Sequence, residues 1–365
     1  MTLYNLCSMK MLTSCSLWRR LATGIMVLTI VVIFFAIQLQ RRVLHARSPE
    51  QGTFHSVLAG NPSVVKVPSK VDGYDMVPSD TCNDKCQDAI QANRLRKAAE
   101  VCSQVDNSKV RSIEQSLIDR LDHVVVLDRY KLLFCYVPKV ACTNWKRTLL
   151  ILLGLLGHDD EVSHLMIHSL AMAKLPTLKN LNTEEAVRRL NSYKKVMFVR
   201  EPISRFLSAY RDKLEKPLNA DSRAFRRGFS SRIKGINAAE LGVQNAVEFN
   251  VTFYDFISYL GNPRNKLASP PEEHWRSVNE LCSPCTLQYD FIGRMETLER
   301  DRNYVLKHFF EVDPISYRLH TSTNPTNSSK LRDDYIAEIP EKRMRALYER
   351  FRIDFDAFGY ATPLS

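Results

Sequence analysis

Twice in this sequence an apolar block of strand length runs directly into residues with helical spacing, and that repeated junction restricts the chain to few folds. Residues 132–137 (LLFCYV) stop at Pro138, and helical spacing starts at Asn144 and continues through residues 144–156 (NWKRTLLILLGLL). Residues 184–193 then read as a helix, residues 196–200 (VMFVR) as a buried strand, and Pro202 as the first position of another helix. Further strands are expected at residues 123–127 (HVVVL) and 289–293 (YDFIG), with helices at 86–102, near 298–310 and at 341–358. Strands alternating with helices predict an α/β fold with a P-loop-like, mostly parallel sheet flanked by helices.

The amino-terminal part follows other rules. Residues 21–39 (LATGIMVLTIVVIFFAIQL) carry no charge and have the length of a membrane-crossing helix. A cleaved signal peptide has a shorter apolar region and a small-residue cleavage site, so an uncleaved signal anchor is expected. Lys10, Arg19 and Arg20 precede the run and Arg41, Arg42 and Arg47 follow it, so charge does not set the orientation. Sequons at Asn250 and Asn327, and seven cysteines beyond the run, place the carboxyl side in an oxidising lumen. The expected organisation is a cytoplasmic tail (1–20), a transmembrane anchor (21–39), a stem rich in Ser, Pro and Gly (40–79) and a luminal domain (80–365).

Both junctions suit phosphate. Strand carboxyl ends in open α/β sheets form the ligand edge. Amides of the turn over Val140, Ala141, Cys142, Thr143 and Asn144 can surround an anion at a helix start, with Lys139 facing a developing negative charge. The glycines of a Walker A loop are absent, which disfavours a nucleoside triphosphatase. At the second junction Arg200, Arg205 and Ser208 can converge on another phosphate. Taken alone, the first segment also reads as a basic helix start with Trp145 in the core, and the second as surface charge. The net charge of +11 admits a solvated basic face or an acidic partner.

These residues resemble the Golgi carbohydrate sulfotransferases, in the branch of the chondroitin and dermatan 4-O-sulfotransferases, the N-acetylgalactosamine 4-O-sulfotransferases and the human natural killer epitope sulfotransferase. CYVPKVACTNWKR (135–147) is similar to that family's 5'-phosphosulfate loop and FVREPISRFLSAYRDKL (198–214) to its 3'-phosphate segment. EHW (273–275), LCSPC (281–285) and GRMETLE (293–299) extend the resemblance over about residues 102–360. It implies 3'-phosphoadenosine 5'-phosphosulfate (PAPS) as sulfuryl donor, no metal, and a glycosaminoglycan or glycoprotein glycan as acceptor, with chondroitin most similar. It also implies a type II Golgi membrane protein and no nucleic-acid partner; the oligomeric state stays open. The donor set it implies is Pro138, Lys139, Val140, Ala141, Cys142, Thr143 and Asn144 with Arg200, Glu201, Pro202, Arg205 and Ser208. Within it Lys139 meets the bridging and sulfonate oxygens, Thr143 the 5'-phosphate, and Arg200 and Ser208 the 3'-phosphate.

Removal of the acceptor proton falls to His168, where relatives also carry a histidine, with His274 second and Glu296 open. CSPC (282–285) has the spacing of half a zinc site, but disulfides fit a lumen better, leaving Cys142 as the expected free thiol and the pairing of the rest open. Two other functions compete. A glycosyltransferase would use a DxD motif, present at Asp354 and Asp356 but within an amphipathic helix. A non-catalytic glycan binder would have no use for Lys139, Arg200 and Ser208 together.

Overall fold

The structure, a computed structural model, describes residues 82–105, 114–215, 220–235, 249–264, 272–317 and 329–363. The expected anchor, the stem and Asn327 lie outside them. Among the described residues no helix is long and apolar enough to cross a membrane. The chain divides into two compact units. Of the smaller, only residues 150–160 are described; there Gly154 turns the chain at φ +69° and Asp160 Oδ2 accepts the Gly157 N–H. The larger comprises residues 66–149 and 161–365 and contains the sheet.

Four strands lie in the order β1 (Val124–Leu127), β2 (Leu132–Cys135), β3 (Lys194–Val199), β4 (Phe291–Arg294). The β2–β3 and β3–β4 pairs are parallel, with Cys135 opposite Met197 and Val199 opposite Arg294. β1 pairs antiparallel with β2 through the tight turn at Asp128–Tyr130, where Lys131 takes φ +47°. A connection this short permits only a hairpin, so the mostly parallel sheet acquires one antiparallel edge. All four residues of both β1 and β2 are buried, which explains why they read as unbroken apolar runs rather than alternating ones.

The helices used below are α1 (Asp84–Gln104), α2 (Cys142–Leu152), α3 (His164–Lys174), α4 (Thr183–Ser192), α5 (Pro202–Tyr210), α6 (Ala220–Lys234), α7 (Phe253–Gly261), α8 (Leu298–Phe309), α9 (Ser329–Ala337) and α10 (Glu341–Asp356). Polar caps set their starts: Asn182 accepts from Glu185 N–H at α4, Ser163 from Met166 N–H at α3, and Thr252 with Asp255 forms a capping box at α7. The kink at Phe351 in α10 seats that ring 4.7 Å from Phe206 of α5. α5, α7 and α10 share an apolar core with the fully buried Trp275.

Disulfides join Cys82 to Cys86, Cys102 to Cys285 and Cys135 to Cys282, and Cys142 is free. CSPC is therefore two disulfide anchors, tying the short helical turns around it to α1 and β2. The DxD motif is likewise structural: Asp354 is buried and accepts the N–H groups of Val278 and Asn279, and Asp356 accepts the Tyr348 hydroxyl.

Under the sheet, Phe134, Trp145 and Phe198 pack with centroids 4.7 Å apart for the two Trp145 pairs. Gly293 of β4 is indispensable to this packing, because a Cβ there would lie 2.2 Å from the Phe198 ring. Gly293→Ala should lower folding stability by about 1 to 3 kcal/mol, the usual cost of overpacking, as measured by the urea midpoint.

Candidate active site

The three parallel strands deliver their carboxyl ends to one edge, each followed by a segment the sequence had marked. β2 leads through Tyr136 and Val137 into the loop 138–141 and α2; β3 leads into Arg200, Glu201 and α5; β4 leads into Glu296. Val140 N–H closes a turn onto Val137 C=O at 3.1 Å, while Lys139 and Ala141 adopt φ +69° and +50°. Left-handed residues two apart in a turn can direct neighbouring N–H groups to one side, the kind of concavity used for anions. The first helical hydrogen bond of α2 is Trp145 N–H to Ala141 C=O, so Cys142 and Thr143 N–H have no intrahelical acceptor. Non-glycine residues at positive φ are strained, and here both fall in the turn between β2 and α2.

Arg200 connects the two loops. Its Nη1 donates to the Lys139 carbonyl at 3.1 Å, and the side chain is 6% exposed. Burial lowers its pKa somewhat, opposed by Glu296, Glu201 and Tyr360, and an arginine so placed stays cationic. Ser208, half-buried on α5, has no protein hydrogen bond through its hydroxyl among the described residues, leaving it available to a ligand.

Two expected ligand residues have other duties. Arg205 is 1% exposed, and its Nε, Nη1 and Nη2 donate to the carbonyls of Pro138, Arg276 and Glu273 at 3.1, 2.8 and 3.2 Å. The guanidinium braces the phosphate loop from behind and does not face a ligand. Glu201 caps α5, accepting from the N–H groups of Ile203 and Ser204 and from the Ser204 hydroxyl, and pairs with Arg332 of α9 at 3.0 Å. Pro202 opens α5, where its missing N–H costs nothing. Glu296 has both oxygens engaged, by Glu201 N–H and the Tyr360 hydroxyl at 2.8 and 2.9 Å, which disfavours it as a base.

A cluster of two histidines, a threonine and a lysine lies beside the loop. Thr143 Oγ1 is 3.0 Å from His168 Nε2 and 2.9 Å from His164 Nε2, and Lys146 Nζ is 3.3 Å from His168 Nδ1. A lysine ammonium only donates, so His168 Nδ1 accepts and, in the neutral ring, Nε2–H donates to Thr143. The Thr143 hydroxyl then donates to His164 Nε2. Burial, with the neighbouring Lys146 and His164, depresses the His168 pKa to about 4, and burial lowers that of His164 as well. The His164 and His168 spacing of four residues, which puts both rings on one helix face, was legible in the sequence, yet only His168 was singled out.

His274 sits apart from this cluster, with its Nδ1 2.5 Å from Glu272 Oε1. Glu273 contacts His123 Nε2 at 3.0 Å; burial opposes its ionisation, but that hydrogen bond and the charges of His274, His123 and Lys146 hold its pKa at about 2. Glu272, Glu273 and His274 are the one group of metal-type ligands close together among the described residues, and these contacts already occupy them.

Because His168 titrates lower folded than its ordinary 6.5, the unfolded chain takes up the proton first. Its contribution to stability is therefore complete above about pH 6.5 and lost as pH falls toward about 4. His168→Asn should flatten the decline in urea midpoint between pH 7 and 4.5 relative to the unaltered chain.

Sequence comparison yields one profile match and several relatives. The profile described as "Sulfotransferase family" matches residues 122–361. Carbohydrate sulfotransferase 11 of Rattus norvegicus is 34% identical over 246 residues, covering 67% of this chain and 68% of the relative. Carbohydrate sulfotransferase 14 of Danio rerio is 35% identical over 293 residues, covering 78% and 75%. Carbohydrate sulfotransferase 12 of Mus musculus is 31% identical over 335 residues, covering 83% and 76%. No solved structure matches.

Proposed function

This chain belongs to the sulfotransferase family and is a carbohydrate O-sulfotransferase, and from that premise we propose that it sulfates the 4-hydroxyl of N-acetylgalactosamine in chondroitin or dermatan. The family implies PAPS as donor, which when bound supplies an activated sulfuryl group on a phosphate leaving group. The observation carrying the reading is the Arg200 to Lys139 hydrogen bond, which sets the two phosphate-type loops side by side at one sheet edge. The loop amides of residues 139–143, with Thr143, would hold the 5'-phosphate, and Arg200 with Ser208 the 3'-phosphate.

In the transfer a sugar hydroxyl oxygen bonds to sulfur while the bond from sulfur to the phosphate oxygen breaks, its electron pair staying on that oxygen. Lys139 offsets the charge appearing there, and fixed loop amides do so without reorganising. The hydroxyl proton goes to a histidine. His168 is our assignment: burial and Lys146 keep it neutral at physiological pH, so it is ready to accept. Accepting at Nε2 requires the other neutral tautomer, so the Lys146 ammonium must turn away from Nδ1 and the Thr143 oxygen gives up the N–H it accepts from Nε2. His274 is the second choice, as it lies at the aromatic edge formed by Phe225 and Trp275.

A polyanionic acceptor suits the neighbourhood of that edge. Arg223 and Arg227 are exposed on one face of α6; on its other face Phe225 lies 5.9 Å from His274, with Lys213 Nζ 5.9 Å from the Phe225 ring. We place the catalytic domain, residues 80–365, in the Golgi lumen behind the anchor at 21–39. Three disulfides and the exposed sequon Asn250 support an oxidising compartment.

The test is the detergent-solubilised full chain with radiolabelled PAPS and EDTA, offered desulfated chondroitin, dermatan, heparosan and glycans ending in N-acetylgalactosamine. Label in chondroitin or dermatan at the 4-position is expected; label confined to the terminal glycans would transfer the assignment to glycoprotein sulfation. Lys139→Ala should lower kcat about a hundredfold with donor binding partly kept, whereas Arg200→Ala should mainly raise donor KM, by about tenfold or more. Identical profiles for the two would contradict these roles. His168→Ala should abolish turnover; near-normal turnover would transfer the base to His274.

A further inference from the structure

Lys139 is held by a carboxylate that no local sequence signal marks. Its Nζ lies 2.9 Å from Oδ2 of Asp212, and Lys213 Nζ is 3.5 Å from the same oxygen. Asp212 belongs to a π-helical turn, Arg211–Glu215, directly after α5. The Arg211 N–H at its start is shared between the carbonyls of Leu207 and Ser208. π-turns inserted after an α-helix recur at functional sites because they re-aim one side chain.

Asp212 is an anion at neutral pH. Burial works against its ionisation, but Lys139 and Lys213 outweigh that and hold its pKa below the ordinary carboxylate value. An anion so placed disfavours a polyanionic donor, and with its side chain 37% exposed its pairing is screened by water and adds little to folding. Its placement gains meaning from Lys139. A lysine stem has four rotatable bonds, and fixing its nitrogen beforehand removes that cost from the transition state.

We propose that Asp212 is a positioning residue, which holds the Lys139 nitrogen beside the phosphate loop and yields it to the leaving phosphate oxygen during transfer. This rests on the donor reading given above. Two effects of opposite sign follow. The Asp212 charge weakens donor binding, and the Asp212 to Lys139 contact speeds the chemical step.

The experiment uses the full chain and its Asp212→Asn, Asp212→Glu, Lys139→Ala and Asp212→Asn/Lys139→Ala variants. Affinity for adenosine 3',5'-bisphosphate is measured by calorimetry, kcat with radiolabelled PAPS, and the melting temperature as a control. Asp212→Asn should bind the bisphosphate roughly three- to tenfold tighter while kcat falls about tenfold, with melting unchanged. Asp212→Glu should recover part of the rate. In the Lys139→Ala background the kcat effect of Asp212→Asn should vanish while the affinity gain persists. Unchanged kcat in Asp212→Asn, or an equal loss with and without Lys139, would overturn the proposal. An unaltered chain that binds the bisphosphate yet sulfates no glycan would refute the acceptor reading, and the affinity arm would still decide the charge effect. Failure to bind the bisphosphate at all would overturn both.

Discussion

One buried guanidinium holds the site together. Arg205 of α5 donates to the carbonyls of Pro138, Glu273 and Arg276, so a single side chain ties the phosphate loop to the segment carrying Glu273, His274 and Trp275. Burial pushes its pKa down to about 10, and the nearby Asp354 partly opposes this. A charge in that position is tolerated because three carbonyls replace its water, and removing it would leave those carbonyls without partners. The loop's strained residues, Lys139 and Ala141, need such bracing to keep their positive φ.

From that brace the architecture extends outward. Parallel pairing of β2, β3 and β4 brings three strand ends to one edge; Arg200 joins the first two loops, and Glu296 joins the second to the third through Glu201 N–H. The disulfides Cys135–Cys282 and Cys102–Cys285 span 147 and 183 residues of sequence, fixing the layers behind the sheet. The rigid side of the site is thus cross-linked and the chemical side is hydrogen-bonded, the arrangement expected where geometry does most of the catalytic work.

The sheet and the loops at its carboxyl edge were legible in the sequence because both rest on local signals: continuous apolar runs for buried strands, and helix starts immediately after them. The hairpin of β1 and β2 needed only the short turn at Asp128–Tyr130 to be recognised. What was not legible depends on contacts distant in sequence. Whether Arg205 faces a ligand or Pro138 C=O, whether Glu201 binds a nucleotide or caps α5 against Arg332, and whether Cys282 pairs with Cys135 are all settled by packing across 60 residues or more of chain. Asp212 escaped notice for another reason: an α-helical continuation of α5 gives no hint that a π-turn aims it at Lys139.

We propose that two adjacent strand-end loops read two phosphates of one nucleotide. Calorimetry of the full chain with adenosine 3',5'-bisphosphate and with adenosine 5'-monophosphate tests it most directly. The 3'-phosphate should strengthen binding at least tenfold, as a charge-assisted contact to Arg200 would. Equal affinity for the two nucleotides would contradict it.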